Sequence, residues 1–152
     1  MNSIAPSPFA PTDSEVAAVG KTVSIIRPDT SPLHTRLAAA SRLLSSLPAQ
    51  PVAASLVFSR GNDLPVEAVP IGDGITVGRG RHESIPIPEC LDLSRRHFSV
   101  RQESGFWLLE DASSRNGTFV DGVEGRISRR VLRDGDIIFA GDLLFLFVDP
   151  AN

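Results

Sequence analysis

Hydrophobic residues follow two different periods along this chain, one before Pro51 and one after it. Over residues 33–47, leucine and alanine recur at helical spacing, with Arg36 and Arg42 among the remaining positions. This pattern predicts a short amphipathic helix over residues 33–47. Pro48 and Pro51 then end it, because proline cannot continue a helix.

After Pro51 the pattern changes to short apolar or alternating runs separated by turn residues such as Asp-Gly and Gly-Asp. No stretch of this region keeps a helical period for ten residues, and no internal repeat is visible. Many short strands at near-regular spacing predict an all-β sandwich or barrel. The predicted strands cover residues 56–58, 66–71, 75–78, 97–101, 106–109, 118–120, 130–132, 137–139 and 143–148.

The first 32 residues are rich in proline, serine, threonine and alanine. Such a composition buries too little apolar surface to offset the entropy lost on ordering, so we expect a largely disordered segment. The predicted organisation is therefore a flexible N-terminal arm over residues 1–51, which includes the short helix, followed by one folded domain over residues 52–149.

Composition and charge exclude several classes of function. Hydrophobic residues make up 41% and charged residues 22% of the chain, as in an ordinary globular protein, and no apolar run is long enough to span a bilayer. The net charge of −3 argues against general affinity for nucleic acid.

The N-terminus lacks the basic and apolar regions of a secretory signal, and Cys90 is the single cysteine, so a reducing, cytoplasmic location is expected. Three histidines and one cysteine give no metal-binding spacing, and no cofactor is expected.

Three connections between the predicted strands carry the polar chemistry. They read Gly-Arg-Gly-Arg at 78–81, Ser-Arg-Arg-His at 94–97 and Asp-Ala-Ser-Ser-Arg-Asn-Gly-Thr at 111–118. These segments offer guanidinium groups, hydroxyls, an amide, and glycines that let the backbone approach a ligand. Charge-assisted hydrogen bonds from arginine to an oxyanion are the strong kind, so the residues indicate an anion-binding site.

In order and spacing, these three segments resemble the signature of the forkhead-associated domain family. The sequence Leu-Arg-Asp-Gly-Asp-Ile-Ile-Phe-Ala-Gly at 132–141 is similar to the C-terminal hairpin of that family, and the resemblance covers residues 53–149. The resemblance implies a small, stand-alone member of bacterial type. The resemblance implies an eleven-stranded β-sandwich that binds phosphothreonine peptides through loops at one end and acts in kinase signalling without being an enzyme.

The resemblance also implies a role for individual residues. Arg79 and Ser94 would contact the phosphate, with Arg95 as an additional donor. Arg115 would also approach the phosphothreonine, and Asn116 would bind the peptide backbone beside it.

Three further residues would support this site without touching the ligand. Gly78 and Gly117 would be architectural, and His97 would join the loops through hydrogen bonds. The implied partner is a threonine-phosphorylated protein, with a serine/threonine kinase acting upstream.

Two alternatives stay open at this point. Ser94, His97 and Asp111 could suggest a hydrolase triad, although no nucleophile elbow surrounds Ser94. The fold could also serve as a scaffold or secretion-system component that acts without phosphate, in which case Arg79 or Ser94 would be expected to be lost. Both are present.

The N-terminal arm could itself supply a ligand. Thr12, Thr22, Thr30 and Thr35 lie in or beside this segment, and Thr22 is followed three residues later by Ile25 and Thr30 by Leu33. Some bacterial relatives fold a phosphorylated tail back onto their own domain, and the layout of this chain resembles theirs without their tandem-threonine motif. Thr22 and Thr30 are therefore candidate phosphorylation sites, and an unregulated tail is the alternative.

Overall fold

The structure of the protein is a computed structural model that describes residues 33–61 and 63–151. It contains one helix and ten strands in that part of the chain, against the eleven strands that the resemblance implies. Thr12, Thr22 and Thr30 lie outside the described residues, as does most of the arm. The elements are α1 (Leu33–Ser45), β1 (Ser55–Ser59), β2 (Val66–Pro70), β3 (Gly74–Gly78), β4 (Ile85–Pro86), β5 (Phe98–Glu103), β6 (Phe106–Asp111), β7 (Thr118–Val120), β8 (Arg129–Leu132), β9 (Ile137–Ala140) and β10 (Leu143–Val148).

The strands form two five-stranded sheets, which confirms the predicted all-β sandwich. Sheet A has the order β2-β1-β10-β9-β7, and sheet B has the order β4-β3-β5-β6-β8. All pairs are antiparallel except β3 with β4. Each predicted strand is present, and β4 is the element that the sequence pattern missed.

Aromatic rings fill the space between the two sheets. The ring of Phe145 lies 5.1 Å from that of Phe58 and 5.3 Å from that of Phe98, measured between centroids. Trp107, half-buried, packs against the same core beside Phe147. Edge-to-face and tilted contacts of this kind stabilise a core beyond the area that they bury, so the sandwich offers a rigid frame for its loops.

Sheet A is apolar on its outer face as well, and α1 covers that face. Alternation along β1 sends Leu56 and Phe58 into the sandwich and Val57 outward. Helix α1 contacts β1. Four buried side chains form a cluster on this outer face: Val57, Ile137, Phe139 and Leu146. Four half-buried side chains from the helix and the turn after it pack against them: Ala40, Leu43, Leu44 and Leu47.

The helix ends close to the predicted position. Its last carbonyls are bound by groups that follow it, since the Ser46 hydroxyl donates to Arg42 O at 2.9 Å and the Gln50 amide donates to Leu44 O at 3.2 Å. Pro48 prevents a further turn. With 13 residues, α1 is too short to cross a membrane, and the described residues contain no other helix.

Candidate functional site

The polar connections identified in the sequence meet at one end of the sandwich. Strand β3 ends there at Gly78, β5 begins at Phe98 and β6 ends at Asp111, because Val77 pairs with Phe98 and Phe98 pairs with Asp111. Strand β7 of the other sheet begins at the same end with Thr118. The sheet register, and not chain proximity, therefore assembles the site.

Backbone hydrogen bonds hold the first two connections side by side. Arg79 N donates to Ser94 O, and Gly80 N donates to Arg95 O, both at 2.9 Å. A Cβ atom on Gly78 would collide with the carbonyl oxygen of Arg95. Glycine at this position is what lets the two segments approach so closely.

The imidazole of His97 ties three segments together from inside the protein. Ser94 N donates to His97 Nδ1 at 3.0 Å, and His97 Nε2 lies 2.8 Å from the carbonyl oxygen of Gly117. Since Nδ1 accepts and Nε2 donates, the ring is neutral with its proton on Nε2. The ring is fully buried, and that burial lowers the pKa of His97 below its ordinary value.

We expect His97→Ala to lower the free energy of unfolding more than it lowers ligand affinity in the folded fraction. Removing the ring leaves buried partners unsatisfied, at a cost of about 1–3 kcal/mol. Urea unfolding gives the first quantity and calorimetry of the folded protein gives the second. Unchanged stability with lost binding would instead make His97 a ligand contact.

The lowered pKa of His97 also predicts how stability depends on pH. Below about pH 6.5 the unfolded chain binds a proton at His97 that the folded chain does not. The free energy of unfolding should therefore fall as the pH drops from about 6.5 toward the lowered pKa, and His97→Ala should reduce this dependence. His82→Ala, at an exposed histidine, is the matched control.

A carboxylate that the sequence pattern did not single out as a support holds the third connection. Asp111 Oδ1 accepts from the hydroxyls of Ser114 at 2.5 Å and Thr118 at 2.7 Å, while Oδ2 accepts from Ser114 N at 3.0 Å. Burial alone would raise the pKa of Asp111, but these hydrogen bonds outweigh it and lower the pKa below its ordinary value. The carboxylate thus stays charged and fixes the turn.

Arg126, from the connection between β7 and β8, completes this support. Its Nη2 donates to Ser114 O at 2.7 Å and lies 3.3 Å from Asp111 Oδ2. Gly117 beside it has φ of +91°, and a Cβ atom there would lie 3.2 Å from the Arg126 side chain. Both the backbone conformation and the space favour glycine at this position.

The structure brings all five residues assigned to ligand contact to this end. The Ser94 hydroxyl accepts from Arg115 N at 2.9 Å, Asn116 Nδ2 donates to Asp92 O at 2.8 Å, and Arg79 Nε donates to Leu93 O at 3.1 Å. Like Arg79 and Arg115, Arg95 is exposed.

The three arginines assigned to ligand contact, Arg79, Arg95 and Arg115, are available to an anion. Among residues 33–61 and 63–151, no carboxylate lies within ion-pair distance of Arg79, Arg95 or Arg115. Arg96, in contrast, is held by Glu83 at 2.9 Å. Guanidinium groups that carry no ion pair can bind a tetrahedral oxyanion without first breaking internal ion pairs.

The alternative hydrolase triad is not assembled in the described residues. Both nitrogens of His97 are engaged by backbone groups, so neither can take a proton from the Ser94 hydroxyl. Asp111 bonds to Ser114, Thr118 and Arg126. The described part of the chain also contains no group of three histidine, cysteine, aspartate or glutamate side chains able to hold a metal ion.

Comparisons with known proteins agree with this geometry. Residues 75–141 match the family model of the FHA domain, the forkhead-associated domain. A curated relative, the ABC transporter ATP-binding/permease protein Rv1747 of Mycobacterium tuberculosis, is 36% identical over 75 residues, which are 49% of this chain and 8% of the transporter. The chain therefore spans a small part of that relative.

Solved structures of FHA domains share the fold. The FhaA FHA domain, complexed with the intracellular domain of Rv3910, is 27% identical with a TM-score of 0.51, over 62% of this chain and 99% of that one. An FHA domain studied for phosphothreonine-dependent interactions is 26% identical with a TM-score of 0.50, over 62% and 95%. An Arabidopsis thaliana FHA domain is 27% identical with a TM-score of 0.50, over 68% and 92%.

Proposed function

We propose that this chain, whose residues 75–141 match the family model of the FHA domain, is a phosphothreonine-dependent protein interaction module. One observation carries the proposal: backbone hydrogen bonds from Arg79 N to Ser94 O and from Arg115 N to the Ser94 hydroxyl bring these three residues together at one end of the sandwich, and neither guanidinium has a carboxylate partner among the described residues. A phosphate group carries about −1.5 to −2 charges and three acceptor oxygens at pH 7. Such a group matches these donors in charge and in number.

The proposed roles follow the chemistry of each side chain. Arg79 and the Ser94 hydroxyl bind the phosphate, Arg95 adds a donor, and Arg115 approaches the same group. Asn116 binds the peptide backbone beside the phosphothreonine, because an amide can donate and accept at once. The proposed binding domain covers residues 52–149.

Gly78, His97 and Gly117 are proposed to support the site by holding the connections in register. We propose binding in place of catalysis, since FHA domains are interaction modules and not enzymes. A scaffold that works without phosphate remains the alternative, and the retention of both Arg79 and Ser94 argues against it.

The wider setting is also a proposal. A serine/threonine kinase would create the mark on the partner protein, and the single Cys90 fits a reducing, cytoplasmic location. The arm could supply an internal ligand if Thr22 or Thr30 were phosphorylated. Tethering would raise its effective concentration to about the millimolar range.

Titration with matched peptides tests the proposal. We expect a phosphothreonine peptide to bind, its unphosphorylated form not to bind, and the phosphoserine form to bind about fourfold more weakly, because a buried methyl group contributes about 0.8 kcal/mol. Calorimetry of the three peptides measures these differences. Equal binding of the phosphorylated and unphosphorylated peptides would favour the scaffold alternative.

A further inference from the structure

Charged side chains of opposite sign lie on the two sides of Ser94. Hydrogen bonds to the carbonyl oxygens of residues 92–95 show which groups lie beside each residue. Asp92 O accepts from the Asn116 side chain, and Leu93 O accepts from the Arg79 side chain. Ser94 O accepts from Arg79 N, and Arg95 O accepts from Gly80 N. The segment therefore runs from the Asn116 side of the site to the Gly80 side. Arg79 and Arg115 lie between these two sides.

The Gly80 side is basic. Arg81 follows Gly80 directly, and a Cβ atom on Gly80 would lie 2.8 Å from Arg95 Cγ, so the Arg95 side chain passes over this glycine. Both arginines are exposed. Glu83, two residues after Arg81, does not neutralise them, because it is paired with Arg96 and its side chain is only 6% exposed.

The Asn116 side is acidic. Glu89, Asp92 and Asp142 are all exposed, and the Cys90 thiol donates to Asp142 Oδ1 at 3.0 Å, which joins the turn between β9 and β10 to this side. Among the described residues, none of these three carboxylates takes part in an ion pair.

The number of arginines exceeds what one phosphate needs. A phosphothreonine carries about −1.5 to −2 charges at pH 7, which Arg79 and Arg115 can balance. Arg81, together with Arg95 beyond the donor that Arg95 adds to the phosphate, then leaves positive charge on one side of the phosphate, and exposed carboxylates lie on the other side. Charges at the rim of an interface discriminate between partners, by attraction on one side and by repulsion on the other.

Resting on the function proposed above, we propose that Arg81 is a specificity-determining residue of this site. With Arg95 it selects phosphothreonine ligands that carry a second anionic side chain, a carboxylate or a phosphate, on one flank. Glu89 and Asp92 disfavour an anionic side chain on the opposite flank. The ligand class is thus a phosphothreonine peptide whose acidic residues lie to one side of the phosphothreonine.

A flank scan with defined peptides tests this inference. The reference peptide has phosphothreonine between neutral residues, and glutamate is then placed at each position on either side. A further peptide carries a second phosphothreonine at the best position, which distinguishes carboxylate from phosphate. At low salt we expect a gain of about two- to fivefold on one flank and a loss on the other, since exposed ion pairs contribute up to about that much. Both effects should shrink at high salt.

Substitutions assign the effect to residues. Arg81→Gln should remove the gain from the favourable flank, and Asp92→Asn should reduce the penalty on the other flank. Arg133→Gln, at an exposed arginine of the opposite end, should leave both ratios unchanged. Equal effects on both flanks, or a gain that survives Arg81→Gln, would overturn the inference alone. Failure of the neutral reference peptide to bind would overturn the proposed function and this inference together.

Discussion

Arg79→Ala is expected to weaken binding of a phosphothreonine peptide by at least about 30-fold while leaving the protein folded. Truncating one partner of a charge-assisted pair at a desolvated anion costs about 2–5 kcal/mol, and each 1.4 kcal/mol is a factor of ten in affinity. Folding should hardly change, because the side chain is exposed and makes one hydrogen bond within the described part of the chain, from Nε to Leu93 O. Calorimetry and thermal unfolding measure the two effects.

Two variants sharpen this prediction. Arg79→Lys keeps the charge but loses the planar fork and the Nε bond to Leu93 O, so an affinity between those of wild type and Arg79→Ala is expected. Arg133→Ala removes an exposed arginine at the far end of the sandwich and should bind like wild type. If Arg79→Ala bound within threefold of wild type, the phosphate assignment of Arg79 would be wrong.

The strands could be predicted because their alternation is regular and their ends carry turn residues. In β1, for example, Leu56 and Phe58 face the other sheet, and Val57 faces α1. Strand β4 could not be predicted this way. It is a two-residue pair of Ile85 and Pro86 with β3, and so short a segment has no measurable period.

The proposed ligand contacts could also be located in the sequence, because they cluster in connections at the ends of strands. The supporting roles of Gly78, His97 and Gly117 were predicted as well, but those of two other residues were not. Asp111 and Arg126 are separated by a whole strand and act through side-chain hydrogen bonds to Ser114, which leave no periodic or compositional signal. The pairing of Glu83 with Arg96, which leaves Arg81 uncompensated, is likewise a property of the folded loops.

The helix was predicted from its leucine spacing, but the surface that it covers was not. Strands β1, β9 and β10 of sheet A are apolar on both faces, as expected for strands buried on both sides. A sequence of this kind predicts that another element covers the outer face, but it does not identify that element. The half-buried Leu43, Leu44 and Leu47 identify α1 and the turn after it as that cover.

A chain that starts at residue 52 is therefore expected to be less stable than a chain that starts at residue 33, by at least about 2 kcal/mol. Removing α1 exposes the outer face of sheet A, where Val57, Ile137, Phe139 and Leu146 are each no more than 3% exposed. Full burial of one such side chain contributes about 1.5–3 kcal/mol, and the entropy of ordering the helix offsets part of the total.

Thermal and urea unfolding of the two truncated chains measure this difference, and a decrease in melting temperature of roughly 8–16 °C is expected for a domain of this size. The proposed ligand contacts all lie after residue 52, so the folded fraction of the shorter chain should keep its affinity for a phosphothreonine peptide.

In the longer chain, Leu44→Asp should reproduce much of the loss of stability, because it places a charge against the apolar face. Arg42→Asp, on an exposed position of the same helix, serves as the control. Equal stability of the two truncated chains would mean that α1 is part of the arm and contributes nothing to the domain.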